Sequence, residues 1–91
     1  MKPGEQKYTE DFESSSDFVD LGLHIAYYRK RAGITQQKLA DSLGVGRSYL
    51  SRIESPNQHQ HFSFELFFSI CRILDVEPRY FFIPLPGPGP R

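Results

Sequence analysis

The chain has 91 residues, 38% of them hydrophobic, enough for one small core and hardly two. Eleven Lys and Arg balance eleven Asp and Glu, so the formal charge is zero and a histone-like polycation is excluded. One cysteine, Cys71, can form neither an intramolecular disulfide nor a four-cysteine zinc site; packing must hold the fold, as is usual in the cytosol.

Residues 1–16 are polar, acidic and Ser-rich, with Tyr8 and Phe12 as their sizeable apolar groups, and read as an N-terminal arm. Asp17 is a candidate cap for a first helix carrying Leu21, Ile25 and Tyr28 at helical spacing. That helix ends at Gly33, with Arg29, Lys30 and Arg31 in its last turns, where cations suit the helix dipole. Thr35 caps a second helix, Gln36 to Leu43, with Leu39, Ala40 and Leu43 on one face. Gly44 supplies the left-handed residue, and a third helix runs from about Gly46 to Glu54 with Leu50 and Ile53 inward. Pro56 stops it, the polar loop 57–61 follows, and Ser63 caps a fourth helix through Leu74.

The fourth helix presents two apolar faces: Phe64, Phe67, Phe68, Cys71 and Leu74 form the expected core face, while Leu66, Ile70 and Ile73 line a second. A last short helix around Pro78 to Phe82 starts with proline in the favoured first turn. The tail PLPGPGPR, 84–91, sustains neither helix nor strand. The expected organisation is therefore one all-α domain over 17–83, between the arm and the tail. The longest apolar runs fall well short of the roughly 20 residues of a membrane span, so a soluble, cytoplasmic protein is expected.

Charge is unevenly spread. Residues 1–19 hold two basic against five acidic residues, and residues 20–60 hold six basic against three acidic. Within the basic stretch, a small Ala40, a turn glycine at 44 and the aliphatics Leu50 and Ile53 follow Gln36 at the spacing that lets two short helices cross closely. These residues, TQQKLADSLGVGRSYLSRIE from Thr35 to Glu54, resemble the Xre/Cro-like (lambda-repressor-like) helix-turn-helix family. The likeness extends through LGLHIAYYRKRAG before it and SFELFFSICRILDVEP after it. The resemblance implies a compact five-helix domain that binds double-stranded operator DNA as a homodimer, and a transcriptional repressor reading an inverted repeat. Two positions depart from the family's pattern. Gly46 replaces the usual hydroxyl cap of the recognition helix, and Asp75 replaces a glycine at the end of the fourth helix.

The 100° advance per helical residue turns Arg47, Ser48, Ser51 and Arg52 outward when Leu50 and Ile53 face in. Arg47, Ser48 and Arg52 are the expected base readers, arginine being the commonest reader of guanine. Gln36 matches the family's phosphate-contacting glutamine, and Ser51 and Ser55 complete the expected phosphate contacts. Tyr49 lies at the edge of the buried side and is assigned to packing. The resemblance also implies an ion pair between Arg29 and Glu54. Leu66, Ile70 and Ile73, with Phe81 and Ile83, form the expected dimer face, with cover by Phe12 or Phe18 within the monomer as the competing arrangement.

His24, His59, His61 and Cys71 show no metal-ligand spacing, so no metal and no cofactor are expected, and a loop histidine near a phosphate is the better use of His59 or His61. No nucleophile, base and orienting acid recur in a recognisable pattern, and no enzymatic activity is expected. The rival reading is an antitoxin-like or adaptor protein that uses the same fold mainly to bind a protein partner.

Overall fold

The computed structural model describes residues 14–86. Four α-helices, α1 (Ser14–Arg31), α2 (Gln36–Leu43), α3 (Arg47–Glu54) and α4 (Phe64–Leu74), are followed by a 3-10 helix, Pro78–Phe82, and the described residues contain no strand. The fold is all-α, with four α-helices and a 3-10 helix where five helices were expected. Most of the expected arm, and the tail from Gly87, lie outside the described residues, as does Phe12.

Local chemistry accounts for most helix ends. Thr35 Oγ1 accepts from the Lys38 amide at 3.0 Å and Ser63 Oγ from the Leu66 amide at 3.1 Å, each satisfying a donor the first helical turn leaves free. Gly44 takes the left-handed conformation, φ 74°, that closes α2. Gly46 precedes α3 with no side-chain cap. Asp75 also sits left-handed, φ 58°, where glycine would be unstrained. Helix α1 begins at Ser14, so Asp17 is a first-turn acid near the positive end of the dipole, not the cap.

The core gathers Ile25 from α1, Leu39 and Ala40 from α2, Leu50 and Ile53 from α3, Phe67, Ile70, Cys71 and Leu74 from α4, and Phe81 from the 3-10 helix. Helix α1 crosses α3 at Gly22, where a Cβ atom would lie inside the van der Waals shell of the Ile53 carbonyl oxygen. Buried His24 joins α1 to the C-terminal segment: Nδ1 faces the Asp20 carbonyl at 2.8 Å and Nε2 contacts the Ile83 carbonyl.

Two expectations for the C-terminal half need correction. The inward stripe of α4 is Phe67, Ile70, Cys71 and Leu74, the i, i+3, i+4, i+7 set, so Ile70 is fully buried while Phe64 and Phe68 are 75% and 41% exposed. Phe81 is also fully buried, because the 3-10 helix folds back and inserts its ring between Tyr28, at 5.1 Å, and Phe67, edge-on at 5.2 Å. Neither Ile70 nor Phe81 is available to a second copy. Leu66 and Ile73 are half-buried against the domain's own core, and Ile83 is exposed. Phe18 stacks on His61 at 4.4 Å and meets Phe62 edge-on at 5.0 Å.

Candidate nucleic-acid interface

Helices α2 and α3, joined by the turn at Gly44 to Gly46, form the unit from which every expected contact residue but Ser55 projects. The inner side of α3 is anchored by Leu50, Ile53 and Glu54, all buried. Its outer side presents Arg47 and Ser48 exposed in the first turn, with Ser51 half-exposed and Arg52 exposed one turn on. Gly46 leaves the N-terminus of α3 without a hydroxyl in front of its free amides.

The anchor is an ion pair. Arg29 Nε donates to Glu54 Oε2 at 2.7 Å and Nη2 to Oε1 at 3.0 Å, a two-point fork inside the domain, and Nη1 donates to the Ile34 carbonyl at 2.7 Å. Gln36 Nε2 donates to Glu54 Oε1 at 2.9 Å. One carboxylate thus holds the end of α3 to α1 and to the first residue of α2. Among the described residues no buried side-chain nitrogen or oxygen lacks a partner, which is what keeps a buried charge pair tolerable. Gln36 is half-buried; one of its amide hydrogens is committed to Glu54, leaving the second and the carbonyl oxygen for an external group. Ser55 ends α3, and its hydroxyl accepts from the Asn57 amide at 3.2 Å.

Arg52 is tied to the α3–α4 loop. Its Nε donates to Gln60 Oε1 at 3.1 Å, and its guanidinium lies 5.7 Å from the centre of the Tyr49 ring. Tyr49 therefore packs and also flanks an expected reader. His61 is held in its stack with Phe18, and His59 is exposed in the loop. Cys71 is buried in the core, and burial pushes its thiol pKa up, so it stays a protonated packing group. No group of three or more metal-ligating side chains assembles among the described residues, and no helix of theirs is long and apolar enough to cross a membrane.

Gly22 and Gln60 were missed by reading the sequence. A glycine inside an apparent helix pattern was the available signal for the first, since it marks a close approach. No spacing rule points to the second.

The comparisons with known proteins agree with this geometry. A helix-turn-helix family model matches residues 25–81, more than half of the chain. Among solved structures, the clp gene regulator ClgR from C. glutamicum is similar, with 27% identity, a TM-score of 0.66, and coverage of 82% of this chain and 88% of that one. No curated protein matches. With the motif at 35–54, the crossing of α2 and α3 and the family match in hand, the chain belongs to the Xre/Cro-like helix-turn-helix family of DNA-binding transcriptional regulators.

Proposed function

We propose that the protein is a sequence-specific repressor that binds an inverted-repeat operator as a homodimer, with α3 in the major groove. The observation that carries this reading is the division of α3: Leu50, Ile53 and Glu54 are locked into the domain, while Arg47 and Ser48 stand free at its N-terminal end, the part of a recognition helix that reaches base edges. Repression needs only that the bound protein occlude a promoter. The name of the similar structure, a gene regulator, supports the same role.

Selection of binding sites from random duplex DNA tests it. A two-fold dimer should return an inverted repeat with half-sites about one turn, roughly 34 Å, apart. Arg47→Ala should relax preference at one symmetric pair of positions by about 1–3 kcal/mol, whereas Gln36→Ala should weaken binding to all sequences alike. An Arg47→Ala protein that keeps the full consensus removes Arg47 from the readers.

The dimer face must be redrawn from the exposed residues. Phe64 and Phe68 stack with ring centres 6.0 Å apart, and Phe82 meets Phe67 edge-on at 5.7 Å, so aromatic surface runs from α4 to the C-terminal segment beside Ile83. Helical geometry sets this strip on the flank of α4 opposite Leu66 and Ile73. Phe64→Asp is expected to fold, since an acid suits a helix's first turn, and to sediment as a monomer where the wild type sediments as a dimer. An unchanged dimer moves the interface elsewhere. The adaptor reading draws on the same aromatic strip and takes precedence only if site selection returns no consensus.

A further inference from the structure

We infer that Gln60, in the loop between α3 and α4, is a specificity-determining residue that acts by positioning Arg52 for a guanine; this rests on the DNA-reading role of α3. An arginine at a helix surface samples many rotamers, and the entropy lost in fixing it opposes recognition. Arg52 is held before DNA arrives. Gln60 Oε1 accepts from its Nε at 3.1 Å, and the Tyr49 ring lies 5.7 Å from its guanidinium carbon. Both supports converge on one acceptor: Gln60 Nε2 donates to the His61 carbonyl at 3.0 Å, and Tyr49 Oη donates to the same oxygen at 3.4 Å.

That arrangement settles which way the Gln60 amide points. Its NH2 group is spent on a carbonyl, so its oxygen faces the arginine. A guanidinium can grip two acceptors side-on through Nε and one Nη, or end-on through both Nη atoms. With Nε committed to Gln60, the end-on fork is the one left open. Two parallel donors in that geometry fit O6 and N7 on the major-groove edge of guanine. The loop thus selects the mode of reading as well as the rotamer. All of these bonds lie at the exposed surface, where a hydrogen bond adds little to folding. A purely structural role for Gln60 would therefore be a weak one.

The test is site selection and titration of the wild type and of Gln60→Ala, Gln60→Glu, Arg52→Ala and the Arg52→Ala/Gln60→Ala double variant, with thermal melting of each. Gln60→Ala is expected to melt with the wild type and to lose about three- to tenfold of the preference for guanine at the one symmetric pair of positions that Arg52→Ala flattens. In the Arg52→Ala background it should change nothing further. Gln60→Glu keeps an acceptor for Nε and should keep the guanine preference, while its negative charge lowers affinity for all sequences. A Gln60→Ala protein with the wild-type consensus, one that weakens every sequence equally, or one that adds its loss to that of Arg52→Ala, overturns the inference. Failure of the wild type to select any consensus would instead overturn the DNA-reading role beneath it.

Discussion

Gly22→Ala should destabilise the protein by about 3 kcal/mol or more, against the usual direction for such a change. In an exposed helix interior the substitution stabilises by roughly 0.5–1 kcal/mol, because glycine is the poorer helix former. Here the new methyl would overlap the Ile53 carbonyl oxygen and reach within 3.0 Å of its carbon, and both are backbone atoms of α3. A side chain could rotate away; the backbone at the end of α3, held by buried Leu50, Ile53 and Glu54, can move only with its anchors. Overpacking a well-filled interior typically costs about 1–3 kcal/mol and more where nothing yields, so the steric term wins over propensity. The only relief is for α1 and α3 to separate, which would loosen Ile25, Leu50 and Ile53 together. Denaturant unfolding measures it, and a midpoint at or above the wild type would mean that the two helices slide apart freely.

The second large effect is expected at Glu54. Glu54→Ala removes the acceptor of three donors and leaves Arg29, 8% exposed as a residue, with the Ile34 carbonyl as the remaining hydrogen-bond partner of its guanidinium. Breaking a buried pair from one side costs about 3–5 kcal/mol, because the stranded charge remains. Replacing both members with apolar residues, as in Arg29→Met with Glu54→Leu, should recover much of that loss, since two desolvation penalties vanish with the pair. Stability and function then separate. The double variant is expected to fold but no longer to anchor the Gln36 amide, so its affinity for DNA of any sequence should fall while the base preference proposed for Arg47 survives. A thermodynamic cycle over the two single variants and the double variant reads the coupling directly; a Glu54→Ala loss under about 1 kcal/mol would show that water screens the pair.

Much of the recognition unit was legible because its punctuation is chemically unambiguous. Thr35, Gly44, Pro56 and Ser63 each do one thing well, and α2, α3 and α4 end where they say. Helix α1 was harder: three serines precede Asp17, and any of these residues can open a helix. The face of α4 was legible only in part: Phe67, Cys71 and Leu74 were read as core, but with eight apolar residues from Phe64 to Leu74 the periodicity does not separate Ile70 from Phe64 and Phe68. What decides is Phe81, which fills the space beside Phe67 and Tyr28 and leaves Phe64 beyond the edge of the core. The Arg29–Glu54 contact joins residues 25 positions apart, and only the family resemblance suggested it. The Gln60 contact to Arg52 depends on how a loop without regular structure happens to run.

The two sides of α3 also bear on how such a protein can change its target. Positions 47 and 48 are exposed and lie outside the buried core, so on the proposed reading new residues there can drift with the operator while the scaffold stays intact. Position 52 is less free, because its neighbours at 49 and 60 were fitted to an arginine. If α3 reads DNA as proposed, retargeting is a matter of independent substitutions at the tip of the helix and of concerted ones, helix and loop together, half a helix further along.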